Sequence, residues 1–320
     1  MKIGKTMNNP FGKQGWTPDR LGDLSGKTYV ITGANAGAGF EATRIFLSKN
    51  AEVVMLNRNP QKSEAAISKL KQEFGAGAKV SFIEMDLSEL DSIRVAANRV
   101  IEEVPNIDVL ICNAAIAQVA KQQLTSAGFE SQLGVNHYGH FLLISLLFEK
   151  VAQSGKRIVV VGSNGYNMGL KKIQFEDINF DKNYNPMNTY GHSKLAQMVF
   201  AYELQRRIHE ANRDVKVYVC HPGASRTELG AEEANLFTKV LFKVMAYSPI
   251  AQSAERGSWP EVMCATENNL KEVAYYGPTK RMDMVGPVGE CKLGIHALDT
   301  QAAERLWAIS EEAVNCKFEL

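Results

Sequence analysis

In Thr28-Tyr29-Val30-Ile31-Thr32-Gly33-Ala34-Asn35-Ala36-Gly37-Ala38-Gly39, a β-branched and aromatic run breaks at glycines and continues into a helical period through Ala42, Ile45, Phe46 and Leu47. Side chains stiff at χ1 favour a strand, whereas the apolar spacing after Gly39 is that of a helix. The stretch therefore reads as strand, glycine turn, helix. Gly33, Gly37 and Gly39 let the backbone turn tightly and approach a pyrophosphate, while the free N–H groups and the positive dipole at the helix start face its charge. Asn35 and Ala38 share that turn and join the candidate nucleotide contacts. Taken alone, such a loop also serves as a plain turn.

Working outward, a second strand, Glu52 to Leu56, ends at Asn57-Arg58, about 20 residues past the glycine turn, where an acid grips the ribose 2′-hydroxyl of NAD and an arginine accommodates the 2′-phosphate of NADP. The acid is missing and Arg58 is present, which favours NADP(H) over NAD(H). The plainer reading of Arg58 is an exposed residue ending a strand. After an amphipathic helix over about 61–74, a third strand, Val80 to Met85, runs into Asp86-Leu87, where an adenine amino group could be met. Asp86 equally suits the N-terminal acid of the next helix, whose apolar face is Ile93, Val100, Ile101 and Val104.

Further runs, Val109 to Cys112, Arg157 to Val161 and Val215 to Cys220, are continuously apolar, as strands buried on both faces are. They lead to Asn113-Ala114, to Gly162-Ser163 and to Pro222-Gly223, so these residues gather at the carboxyl edge of one sheet, where ligands bind in such folds. A long apolar helix begins near Asn136. Its histidines, His137 and His140, fit a core role, and no metal site is expected.

Tyr190 and Lys194 stand four residues apart and share one helix face. A cation about 5 Å from a phenol at an effective dielectric of about 20 contributes roughly 3 kcal/mol, or about two pKa units toward the phenolate. Such a tyrosine could exchange a proton with a substrate oxygen near neutral pH. The spacing alone also arises by accident, as a tyrosine one turn from a surface lysine.

The 320 residues carry 36 basic against 35 acidic side chains. With that balance and no basic run interleaved with aromatics, a nucleic-acid surface is not expected. Five cysteines are scattered and never form a C-x-x-C pair, which fits a reducing cytoplasm better than a disulfide framework or a zinc site. The longest apolar stretch, Phe141 to Phe148, is too short to span a bilayer. The expectation is a soluble cytoplasmic protein. Residues 1–26, rich in polar residues, glycine and proline, read as a surface leader that Trp16 and Leu21 could anchor. Residues 27–320 show no composition break that would begin a second domain. Leu236, Phe237, Val240, Leu241, Phe242 and Met245 form an amphipathic stretch that could cover a pocket or close the core. The tail reads as a helix from Gln252 to Cys264, a strand at Val273 to Tyr276, and a last helix from Thr300 to about Val314.

Together, Thr32-Gly33-x-x-x-Gly37-x-Gly39, Asn113-Ala114, Asn136, Ser163, Tyr190-x-x-x-Lys194 and Pro222-Gly223 fall in the order and at the spacings of the short-chain dehydrogenase/reductase family, which the chain resembles from about Lys27 to its last helix. The resemblance implies a single α/β domain of the Rossmann type, a doubly wound parallel sheet of about seven strands with helices on both faces. It also implies a homodimer or homotetramer. Tyr190 then resembles the proton donor to a carbonyl oxygen, and Lys194 the residue that lowers its pKa and binds the nicotinamide ribose. Ser163 resembles the hydroxyl that orients the oxygen, and Asn136 the holder of a relay water. Gly33, Gly37 and Gly39 match the pyrophosphate turn, Asp86 the adenine contact, Asn113 a cofactor contact after the fourth strand, and Thr227 the carboxamide contact.

Gly134 to Phe141 together with Arg58 is similar to the NADP-linked retinol dehydrogenase and WW-domain oxidoreductase branch. Cys112-Asn113-Ala114-Ala115 and Val161-Gly162-Ser163 resemble instead the light-dependent protochlorophyllide reductases. Those usually carry a cysteine two residues after the lysine, where this chain has Ala196. The expected activity is NADP(H)-dependent hydride transfer to or from a hydrophobic carbonyl or alcohol. The alternatives are a C=C reductase of the protochlorophyllide type, a non-catalytic NADP-binding redox sensor, and a sugar-nucleotide epimerase.

Overall fold

A computed structural model describes residues 9–225 and 251–320. Thr227 and the amphipathic stretch from Leu236 to Met245 lie outside the described residues.

The glycine turn joins β1 (Thr28–Thr32) to α1 (Gly37–Leu47). Alternation with helices then follows through β2 (Glu52–Asn57), α2 (Pro60–Phe74), β3 (Val80–Glu84), α3 (Leu90–Glu103) and β4 (Val109–Cys112). A short helix, α4 (Ser131–Leu133), passes through a π turn (Gly134–Tyr138) into α5 (Gly139–Gln153), which is followed by β5 (Arg157–Val161), α6 (Pro186–Glu210) and β6 (Lys216–Cys220). After the undescribed stretch come α7 (Ala254–Thr266), β7 (Tyr275–Lys280), β8 (Val285–Cys291) and α8 (Thr300–Ala313).

The strands form one sheet in the order β3-β2-β1-β4-β5-β6-β7-β8. β1 through β7 pair in parallel, and β8 pairs antiparallel with β7. The chain moves outward from β1 to β3 and returns to β4 on β1's other side, which opens a crevice at the carboxyl ends of β1 and β4. The seven parallel strands are those expected of the fold class. The eighth escaped the sequence pattern because Gly286, Pro287 and Gly289 break its period, and proline is tolerated there because β8 lies at the sheet edge.

Alternate side chains of each strand enter different cores. Val30, Val54, Leu110, Ile158 and Val217 pack with α3, α5, α6 and α8 on one face. Tyr29, Ile31, Val53, Ile111, Val159 and Tyr218 pack with α1, α2 and α7 on the other. Continuous apolar strands follow from this two-sided burial. Ile101, placed by periodicity on the inner face of α3, is instead 45% exposed, while Ile93, Ala96, Ala97 and Val100 make the buried stripe.

Trp16 is fully buried, pairs with Val288 of β8 in an antiparallel bridge, and donates its indole N–H to Glu267 Oε1 at 3.0 Å. At the other end, α8 lies over α5 and α6. The Trp307 ring stands 5.3 Å from Phe141 and 5.0 Å from Phe318, and His137 Nε2 is 2.7 Å from Ser310 Oγ. Among the described residues no helix is long and apolar enough to cross a membrane.

Candidate active site

A cleft of about 510 Å³ opens at the carboxyl edge of the sheet and brings together most residues singled out by the sequence. Gly33, Asn35, Gly37 and Ala38 line one end, and Arg58, Asp86 and Leu87 flank them. Asn113 and Ala114 form the floor, with Ser163, Tyr190 and Lys194 beyond and Pro222 and Gly223 at the far wall. Gly39 and Asn136 stand behind the lining rather than on it.

The glycine turn is shaped by close backbone approach. Gly33 takes φ +68°, and a Cβ on it would meet Ala114 at 2.9 Å; one on Gly39 would meet Asn113 Nδ2 at 2.5 Å. Asn113 Nδ2 donates to the carbonyls of Thr32 (2.9 Å) and Gly33 (3.1 Å), bracing the turn from β4. Asn57, at the end of β2, accepts from the Ala34 N–H at 2.8 Å and donates to Ser63. The sequence did not mark Asn57, because an asparagine at a strand end looks like a turn former. At the N-cap of α1 stands Ala36, which offers no side-chain acceptor, so the orphan N–H groups of the first turn have no side-chain cap at the cleft. That cradle fits a pyrophosphate.

Arg58 is 60% exposed on its side chain and lies 3.9 Å from Asp86, a contact weak enough to leave the guanidinium available to an anion. Asp86 Oδ1 accepts from the Ser88 N–H (2.9 Å) and hydroxyl (2.7 Å), fixing its carboxylate at the rim. Lys62, in the first turn of α2, also lines the cleft near Arg58 and was not singled out from sequence, since a lysine in a charged helix carries no special pattern.

At the far end Tyr190, on α6, shares a hydrogen bond with Ser163, which follows β5. Gly165 lets the two meet, since a Cβ there would come 2.9 Å from the Tyr190 ring and 3.3 Å from Ser163 Oγ. Burial holds the phenol above its ordinary range, and the Ser163 hydrogen bond opposes this. The phenol thus shifts opposite to the direction expected from Lys194, which is not among the causes of the shift. An ammonium is costly to keep out of water, and burial brings Lys194 down to about 7. Lys194 Nζ donates to the neutral acceptors Val161 O (3.0 Å) and Gln197 Oε1 (2.9 Å).

Asn136 lies in the π turn, a distortion that often marks functional positions. Its carboxamide accepts from Ile116 N–H and donates to Ile116 O and Ser193 Oγ, each at 2.9 Å, and Ser193 in turn donates to Tyr190 O at 2.8 Å. Asn136 thus ties the loop after β4 to the Tyr190 helix.

Residues 27–175 match the family model described as short chain dehydrogenase. Retinol dehydrogenase 14 from Mus musculus is 36% identical over 92% of this chain and 87% of its own length. Retinol dehydrogenase 12 from Homo sapiens is 35% identical over 92% and 89%. A crystal structure of an uncharacterized protein from Mycobacterium Paratuberculosis superposes with a TM-score of 0.77 at 33% identity, covering 96% of this chain and all of that one. With a braced glycine turn, a cleft at the carboxyl edge of the sheet and these relatives, the chain belongs to the short-chain dehydrogenase/reductase family of nicotinamide-dependent oxidoreductases, on its retinol dehydrogenase-like branch.

Proposed function

We propose that the protein moves a hydride between NADP(H) and the carbonyl or alcohol carbon of a hydrophobic small molecule, with Tyr190 as general acid and base. The observation that carries this reading is the Tyr190–Ser163 hydroxyl pair facing the same cleft as the glycine turn and Arg58.

When bound, the nicotinamide cofactor supplies or takes the hydride. Gly33, Asn35, Gly37, Ala38 and Gly39 frame its pyrophosphate, Arg58 and Lys62 meet a 2′-phosphate, and Asp86 and Leu87 border the adenine. Asn113, Ala114, Pro222 and Gly223 border the nicotinamide half. Ser163 Oγ orients the substrate oxygen while Tyr190 Oη delivers or accepts its proton. Because burial keeps Tyr190 in the phenol form at neutral pH, the resting enzyme is poised as an acid, which suits carbonyl reduction. Ile116, Ala117, Val119 and Val135 give the cleft apolar walls for a lipophilic substrate, in keeping with the retinol named in its relatives.

The test is NADPH and NADH consumption against a graded panel of aliphatic aldehydes, ketones and retinaldehyde, with wild type and Arg58→Ala. Faster turnover with NADPH and longer substrates, and a KM for NADPH raised roughly tenfold by Arg58→Ala, are expected from the loss of a charge-assisted contact. Preference for NADH, with Arg58→Ala indistinguishable from wild type, contradicts the cofactor assignment.

A further inference from the structure

We propose that Gln197 is a positioning residue that sets the charge and the aim of Lys194. The inference rests on the function proposed above for its kinetic consequence, but its structural core stands without it.

Gln197 lies one helical turn beyond Lys194 on α6 and is 1% exposed. Its Oε1 accepts from Lys194 Nζ at 2.9 Å, while its own Nε2 is buried with no partner among the described residues. A buried amide that leaves its NH2 unpaired carries a desolvation cost. Turning the amide over would point N–H groups at an ammonium, so the cation dictates the orientation. An ammonium has three N–H donors. Two are held, by Gln197 and by Val161 O at the end of β5, and the third is left for the cleft that Lys194 lines.

The other groups facing Lys194 cannot replace that acceptor. Cys112 comes from β4, Cys220 from β6, His140 from α5, and Tyr190 stands one turn earlier on the same helix. All are neutral near pH 7, and among the described residues no carboxylate forms an ion pair with Lys194. Gln197 Oε1 is thus the side-chain dipole that keeps the amine protonated in a site that burial would otherwise discharge.

Two near-isosteric variants move Lys194 in opposite directions. Gln197→Met removes the acceptor and lowers the lysine's midpoint by about one pH unit; Gln197→Glu adds a carboxylate and raises it by at least as much. The midpoint is read without turnover by trace acetylation with acetic anhydride at graded pH and mass spectrometry of the Lys194 peptide. The basic limb of NADPH-dependent carbonyl reduction is measured beside it. Opposed shifts of the labelling midpoint, followed by the basic limb, support the proposal. An unmoved midpoint, or one displaced the same way by both variants as a packing defect would do, overturns it. Opposed labelling shifts with an unmoved rate profile leave Gln197 in its role and overturn the coupling of the Lys194 charge to the Tyr190 proton step.

Discussion

His140 Nε2 lies 3.0 Å from Thr32 Oγ1, so a helix on one side of the sheet is fastened to the last residue before the glycine turn. The direction of that bond follows from its neighbours. His140 Nδ1 faces the Asn136 carbonyl at 3.1 Å and must donate, which leaves Nε2 to accept from the threonine hydroxyl, while Thr32 Oγ1 accepts from Ala114 N–H at 2.9 Å. Burial lowers the imidazole to about 4, so it stays neutral across the working range. His140→Leu strands the Thr32 hydroxyl and removes the imidazole donor to the Asn136 carbonyl, and the expected cost is about 1–3 kcal/mol of stability. NADPH affinity should weaken severalfold as the turn loosens. Urea unfolding and NADPH fluorescence titration check both; an unchanged unfolding midpoint would show that the chain of hydrogen bonds contributes nothing.

Glu261 of α7 presents the opposite case, a buried carboxyl whose two oxygens have no partner among the described residues. Burial pushes it up to about 8. The folded state therefore holds a proton that the unfolded chain releases above about pH 4.5, so this group's stability contribution is intact in acid and is lost as pH rises toward 8. Glu261→Gln removes the titration. At pH 7.5 it should stabilise by roughly 2–4 kcal/mol, and at pH 4 by close to nothing. Chemical denaturation at the two pH values checks the difference, and an equal effect at both would count against a buried titrating carboxyl.

Trp307 is the centre of the contact by which α8 closes the core. Its ring meets Phe141, Phe200 and Phe318, and the Arg207 guanidinium sits 4.2 Å over it. Trp307→Ala should cost about 3–5 kcal/mol, as for other large aromatic truncations in a packed core. Because the ring lies behind α5 and α6 rather than in the cleft, NADPH binding by the folded fraction should be preserved. Thermal melts with and without NADPH separate the two effects.

These contacts also show where sequence reading stops. The parallel strands were legible because two-sided burial imposes continuous apolar runs; Gly33, Asn113, Ser163 and Pro222 of the cleft were legible because they follow strand ends, and Tyr190 and Lys194 because their spacing puts them on one helix face. β8 was not, since Gly286 and Pro287 interrupt its pattern. Asn57, Lys62 and Gln197 were not, because their placement depends on tertiary neighbours: Ala34 for the first, the cleft rim for the second, Lys194 for the third. The charge state of the Tyr190–Lys194 pair was misjudged for the same reason. Spacing gives separation along a helix, whereas burial, which decides the protonation of both groups, comes from packing that pattern alone does not disclose.

Proton delivery by one phenol is the centre of the account, and Tyr190→Phe isolates it, keeping the ring packed against Gly165 while removing the hydroxyl shared with Ser163. Single-turnover NADPH oxidation with a reducible aldehyde, beside NADPH binding by fluorescence, is the direct measurement. The account predicts a rate lowered by at least about 100-fold, the order that general acid catalysis contributes, with a dissociation constant for NADPH within a few fold of wild type. Oxidation by Tyr190→Phe at the wild-type rate would contradict it.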